Sequence, residues 1–177
     1  ETWLEFRRVL FRSAGPGAGK STTAAGLFFE LKTRNIKCEL VTEYAKDMTY
    51  EKRFNTLQDQ LYILAKQNQR IKRLQGVVDY IVTDSPLIIG LAYTPKDYFL
   101  TFKPFVLDLF NSYNNENVFL MRTKKYQSYG RNQTEAEAKE KDEDILNLLA
   151  YIRKSHIMVQ GDKDAPTTIL KYLGIFE

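Results

Sequence analysis

Residues 14–22 read Ala-Gly-Pro-Gly-Ala-Gly-Lys-Ser-Thr, and the order of small, cationic and hydroxyl residues in this run decides the fold. Gly15, Gly17 and Gly19 permit backbone conformations that a side chain would forbid, so successive N–H groups can converge on phosphate oxygens. Lys20 supplies a mobile ammonium for β- and γ-phosphates. Ser21 offers a hydroxyl to Mg2+, and a helix beginning there points its positive dipole end at the anion. With Ala14 in the first small-residue position and Gly19, Lys20 and Ser21 in the last three, the run fits the phosphate-loop, or P-loop, pattern. Gly15, Pro16, Gly17, Ala18, Gly19, Lys20, Ser21 and Thr22 are the expected nucleotide-binding residues, for ATP with Mg2+. A Gly-rich turn capping a helix would account for the glycines but not for the lysine and hydroxyl in register.

Outward from this run, the composition fits one domain. The chain has 177 residues, 44% of them hydrophobic, enough to bury a core. The single cysteine, Cys38, excludes an internal disulfide, suits a reducing compartment and reads as a small core residue. No apolar run approaches the roughly 18–20 residues needed to cross a bilayer, so the expectation is a cytoplasmic protein without a membrane partner. The net charge of +4 is mildly basic. Enzymes for polyanionic nucleotides also collect Lys and Arg, so this charge alone does not establish nucleic-acid binding.

The segment before the loop reads poorly as a buried parallel strand, which should be a nearly continuous apolar run. Arg7, Arg8 and Arg12 surround only Val9, Leu10 and Phe11. Residues 4–13, LEFRRVLFRS, resemble the conceptual translation of a common sequencing adapter. That resemblance implies a non-native extension over 1–13, an authentic chain entering at about Ala14, and Val9 to Phe11 standing in for a native first strand. The expected organisation is thus this extension followed by a single domain over 14–177.

Beyond the loop, helix-like and strand-like segments alternate, which predicts an α/β fold with a parallel sheet flanked by helices. The helix leaving the loop is expected over 22–33 and the next strand over 37–41. Phe54, Leu57, Leu61, Leu64, Ile71 and Leu74 recur at helical spacing, predicting one long amphipathic helix over 50–74 that Gly76 ends. A strand over 77–82 delivers Asp84. Residues 97–113 read as helix interrupted near Pro104, and 118–121 as a further strand. The polar stretch 123–133 contains Gly130 and reads as a small lid. Thr134 to Glu137 then form a capping-box signature for a helix to about Arg153. The last strand is expected over 157–159, with Pro166 near the start of a terminal helix.

Ligands of open α/β sheets bind beyond the carboxyl ends of the strands. There the pattern places Glu43, Asp84 and Arg122, each following a strand. Asp84 ends the run Tyr80-Ile81-Val82-Thr83, the apolar-run-then-acid form of a Walker B carboxylate, so Ser21 and Asp84 are the expected metal ligands; the bland alternative is an N-cap for the segment after Ser85-Pro86. Glu43 could orient or deprotonate a substrate hydroxyl, or be a solvated loop charge.

At these residues the chain resembles small P-loop kinases of the type that includes nicotinamide ribonucleoside kinase, especially the phage-encoded kinase-like or AAA-like ATPases. The resemblance rests on GPGAGKST, Val41-Thr42-Glu43-Tyr44-Ala45-Lys46, Thr83-Asp84-Ser85-Pro86, and Phe119-Leu120-Met121-Arg122 leading into Gly130-Arg131-Asn132-Gln133. It implies a three-layer P-loop NTPase fold. It further implies ATP and Mg2+ on Lys20 and Ser21, Glu43 and Asp84 flanking the phosphoryl acceptor, and Arg122 and Arg131 in a mobile lid. The implied activity is phosphoryl transfer to a nucleoside-like or nucleotide-like hydroxyl. The alternatives are a phage kinase acting on a hydroxymethylated pyrimidine in DNA, with nucleic acid as partner, and an NTP-binding switch without a small acceptor.

Other conspicuous residues read plainly. His156 sits beside the last strand with no Cys/His partners for zinc. Tyr44, Tyr50, Phe54 and Tyr93 could stack on a base but at helical spacing read as packing. The acidic-basic run 135–144 reads as a solvated helix face.

Overall fold

The computed structural model describes residues 8–13, 17–123, 134–152 and 155–175, with the backbone alone for 8–13. Five strands form one parallel sheet in the order β2-β3-β1-β4-β5. They are β1 (Arg8–Ser13), β2 (Cys38–Val41), β3 (Tyr80–Thr83), β4 (Asn115–Met121) and β5 (His156–Gln160). The strand that enters the P-loop is therefore central. Arg8 to Phe11 pair with Tyr80 to Thr83 on one side, and Val9 to Ser13 with Asn115 to Phe119 on the other.

Successive strand residues face opposite sides of a sheet, and this alternation divides the core in two. Val41, Ile81 and Phe119 pack with Leu64, Ile71, Phe110, Ile145 and Leu149 on one face. Cys38, Val82, Val118, Leu120 and Val159 pack with Leu27, Leu31, Ile169 and Leu170 on the other. The helices supplying the first face are α4 (Gln60–Lys72), α5 (Phe102–Asn111) and α6 (Glu135–Tyr151); α1 (Lys20–Thr33) and α7 (Ala165–Tyr172) supply the second. The result is a three-layer α/β fold. Each large side chain so buried contributes about 1.5–3 kcal/mol of transfer free energy. α1 and α7 cross where Gly26 faces Pro166; a Cβ there would stand 2.6 Å from the proline Cγ.

Most elements lie where the sequence puts them, and the largest departure is the expected long helix over 50–74. The chain instead forms α2 (Tyr44–Tyr50), α3 (Phe54–Gln58) and α4. Lys52 takes a left-handed conformation with φ 57°, and the Arg53 N–H turns back to the Met48 carbonyl at 2.9 Å. Asp59 then caps α4, its carboxylate accepting the Tyr62 N–H at 3.0 Å. Phe54 and Leu61, expected on the buried face, are about half exposed. The strand expected from 77 begins at Tyr80, and Val77 is exposed. Pro104 does not interrupt α5: it lies in the first turn, where its missing N–H removes no helical bond. The capping box forms as read, with Thr134 and Glu137 exchanging side-chain to backbone bonds. Cys38 is buried and free, as expected of a core residue. Among the described residues no helix is long and apolar enough to cross a membrane.

Candidate active site

The carboxyl ends of β1 to β4 open onto the start of α1. Gly17 and Gly19 hold φ of 86° and 92°, the left-handed region that a side chain makes costly, and Gly19 caps α1. The first turn of α1 thus starts at this end of the sheet, and the N-terminus of a helix favours an anion. Gly15 and Pro16, the other expected loop residues, lie outside the described residues. The loop is braced from behind by the connection after β5. The Gly161 N–H donates to the Met121 carbonyl at 2.9 Å, and the Thr123 hydroxyl donates to the Gly161 carbonyl at 3.0 Å. A Cβ on Gly161 would fall 2.4 Å from the Ala18 carbonyl oxygen.

Ser21 and Asp84 meet. The serine hydroxyl donates to Asp84 Oδ2 at 2.7 Å, although 63 residues separate them in sequence. Asp84 is 5% exposed, and its Oδ1 is buried with no hydrogen-bond partner among the described residues. An orphaned carboxylate oxygen next to a hydroxyl is a pair of hard oxygen donors, the set that suits Mg2+. The residues present thus fit the metal. Asp84 does not cap the next segment; the 3-10 helix at Leu87–Tyr93 follows Pro86.

Glu43 stands between β2 and α2, in the position that caps α2, and makes no side-chain cap bond. Burial pushes its carboxyl above the ordinary 4.5; Lys20 opposes the rise and Asp84 adds to it. Burial likewise lowers the Lys20 ammonium from 10.5, while Glu43, Asp84 and Asp142 act to raise it and Arg122 to lower it. Lys20, Glu43 and Asp84 therefore share one poorly solvated space. Arg122 enters it from the end of β4. Asp142 of α6 holds this guanidinium, accepting from Nε at 3.2 Å and from Nη2 at 2.8 Å, and both side chains are largely buried. Arg131 and 124–133 of the expected lid lie outside the described residues.

Three features escaped the sequence reading. Asp142 belongs to the site, whereas the run 135–144 had read as a solvated face. Gln67, 4% exposed, fastens the backbone on both sides of Glu43: its Oε1 accepts the Tyr44 N–H at 2.9 Å and its Nε2 donates to the Thr42 carbonyl at 3.4 Å. Tyr93 looks into the same space, its hydroxyl pushed upward by burial and then by Glu43, Asp142 and Asp144. Of the four aromatics expected to pack, Tyr44 is buried, Tyr50 and Phe54 are more than half exposed and Tyr93 is 36% exposed. One signal marked the two polar residues. Gln67 recurs with Gln60, Leu64 and Ile71, and Asp142 with Ala138, Ile145 and Leu149, so each stands in the buried stripe of its helix.

Comparison with known proteins bears on the family and the fold. A family profile described as AAA domain matches residues 14–165. Comparison with curated proteins yields no match. Among solved structures, shikimate kinase from Bacteroides thetaiotaomicron is 13% identical with a TM-score of 0.54, over 94% of this chain and 98% of that one. Shikimate kinase from Aquifex aeolicus is 18% identical with a TM-score of 0.53, over 94% of both chains. The Acinetobacter baumannii enzyme in complex with shikimate is 13% identical with a TM-score of 0.54, over 96% and 92%. At these identities the likeness is one of fold: a shikimate kinase-like P-loop NTPase.

Proposed function

Because the chain belongs to the AAA domain family and has a kinase-like P-loop fold, we propose that it transfers the γ-phosphoryl group of ATP to a hydroxyl of a nucleoside-like or nucleotide-like acceptor. The observation that carries this reading is the 2.7 Å bond from Ser21 to the buried Asp84, with Lys20 and Glu43 in the same desolvated space. A loop built only to bind and sense a nucleotide has no need of a second carboxylate beside the lysine. Such a carboxylate is what an attacking hydroxyl requires.

In this mechanism the loop N–H groups and Lys20 bind the β- and γ-phosphates. Ser21 and Asp84 would hold Mg2+, which when bound neutralises charge on the phosphate oxygens. Glu43 accepts the acceptor's hydroxyl proton as the new O–P bond forms and the bond to ADP breaks. Asp142 keeps Arg122 aimed at the space where the equatorial oxygens gain charge. The resemblance to nicotinamide ribonucleoside kinase adds Arg131 as a second cation for the same oxygens. It also supports a small-molecule acceptor.

The test is incubation of the purified protein with γ-labelled ATP and Mg2+ against nucleosides, nucleotides, modified single-stranded DNA and shikimate. Label is expected on a nucleoside or nucleotide. Label released only to water would replace this reading with a regulatory ATPase, and label on shikimate would replace the acceptor class.

A further inference from the structure

The net charge of this chain is confined to one region. Residues 44–73, which make up α2, α3 and α4, contain seven Lys or Arg (Lys46, Lys52, Arg53, Lys66, Arg70, Lys72, Arg73) and three acids (Asp47, Glu51, Asp59), a surplus of four. The whole chain carries +4, so the remainder is neutral, with nineteen residues of each sign. This region begins one residue after Glu43. Gln67 and Arg70 of α4 bond to the backbone on the two sides of Glu43, so a molecule that presents a hydroxyl to that carboxylate meets α4 beside it.

The same face interleaves cations with rings. Tyr62, Lys66 and Arg70 follow one another at four-residue spacing along one side of α4. Lys66 Nζ lies 5.6 Å from the centre of the Tyr62 ring, and the Arg70 guanidinium 5.0 Å from that of Tyr44. The two tyrosines meet edge to face at 6.0 Å, with their hydroxyls 3.3 Å apart. Arg53 comes close enough to act on the Tyr44 hydroxyl. Tyr50, Phe54 and Tyr62 stay exposed at 56%, 51% and 36%. The surplus remains after the acids are counted: Asp47 pairs with Arg70 at 2.6 Å, Asp59 caps α4, and Glu51 lies 3.6 Å from Arg53 with both half exposed, a pairing open to exchange for a phosphate.

We propose that the acceptor is a phosphate-bearing nucleotide rather than a neutral nucleoside, with its phosphate held by Arg53 and Lys66 and its base against the Tyr62 ring. This rests on the phosphoryl-transfer reading for the position of Glu43. Surface cations beside rings match that chemistry: a phosphate gains charge-assisted hydrogen bonds, and every base has a face to stack. A free mononucleotide and a nucleotide within a strand share it.

Binding without ATP separates this proposal from the catalytic reading. Calorimetry would compare nucleosides, the matching 5′-monophosphates and a short single-stranded oligothymidylate. The phosphate-bearing forms are expected to bind at least about tenfold more tightly than the nucleosides, a gain that shrinks with added salt. Preference for the oligonucleotide over the monophosphate assigns the source to a strand, and the reverse assigns it to a free nucleotide. R53E and K66E should each abolish the preference with ATP binding unchanged, whereas K171E, on α7, should not. Y62A should weaken the phosphate-bearing probe about fivefold or more, and Y62F, which keeps the ring, should restore it. Equal affinity for nucleoside and nucleotide, binding of neither, or a preference indifferent to R53E and K66E would overturn the proposal. If the nucleotide binds and no label moves from ATP, the catalytic reading alone fails.

Discussion

The two halves of the proposed site are built by different means. On the nucleotide side, the conformation is written mostly locally: Gly17 and Gly19 set the left-handed turns, Lys20 and Ser21 open α1 in the next two positions, and Asp84 and the Gly161 brace arrive from elsewhere. On the acceptor side, almost nothing is local. Glu43 is held through its neighbours by Gln67 and Arg70, which are 23 to 28 residues away from the groups they bind. Arg70 reaches the Thr42 carbonyl at 3.3 Å and the Asp47 carboxylate at 2.6 Å. A locally encoded half resists single substitutions outside its own run, whereas a half assembled by long-range hydrogen bonds depends on each distant contributor.

The sharpest way to break this contrast is at Lys20. K20A should lower turnover about 10²- to 10³-fold, the scale seen when one charge-stabilising donor is lost, while the melting temperature stays near that of the parent. Near-normal turnover would remove the P-loop lysine from the chemistry. A smaller effect is expected at Gly161, a distant residue that braces the loop from behind. A methyl group there would stand 2.4 Å from the Ala18 carbonyl and 2.9 Å from that of Met121, so the loop must shift. G161A should cost about tenfold or more in ATP affinity and leave acceptor binding intact. Unchanged ATP affinity would mean that the loop is self-sufficient.

The matching perturbation of the other half is Q67L. It strands the buried Tyr44 N–H, at a cost of about 1–3 kcal/mol, and frees the backbone around Glu43. Turnover should fall about tenfold with the KM for ATP unchanged. Q67E, whose carboxylate can still accept from Tyr44, should lose less. Equal losses in both, or a rise in the ATP KM, would show that Gln67 supports the core rather than Glu43.

Legibility in the sequence followed the same division. The P-loop, the sheet and the strand-end positions of Glu43, Asp84 and Arg122 could be read because glycine conformations, alternation and the α/β rule are properties of short runs. The three-helix segment could not. Phe54, Leu57 and Leu61 kept helical spacing across what are really two breaks, and the signals for those breaks, Lys52 in a left-handed turn and Asp59 as a cap, are weak in residue types so ordinary. The partners of Arg122 and Glu43 were visible only as anomalies, a carboxylate and an amide in otherwise apolar stripes. A polar residue in a buried stripe states that a partner exists without saying which. The central strand is a mixed case: its flanking arginines suit a core strand poorly, and the parallel pairings of Arg8–Ser13 with both neighbours nonetheless have this run stand in the first-strand position, as expected of Val9 to Phe11.

The subtlest expected effect separates the two halves by pH. Glu43 titrates above 4.5 because burial disfavours its charged form, and Asp84 adds to the shift against the pull of Lys20. In the window between 4.5 and the raised value, the native state holds a proton that the unfolded chain has lost, so stability falls as pH rises through that window. Activity runs the other way. A carboxylate that must accept the hydroxyl proton is useless when protonated, so turnover should rise with pH through the same window. Replacing Glu43 by Gln removes the titration: the melting temperature of E43Q should decline less steeply with pH, and what turnover remains should lose its acidic limb. ATP binding should keep its profile on the acidic side, while on the alkaline side it should weaken at lower pH than in the parent, because Lys20 loses the Glu43 charge that opposes the lowering of its ammonium. An E43Q protein whose acidic limb matches that of the parent would place the titrating base elsewhere.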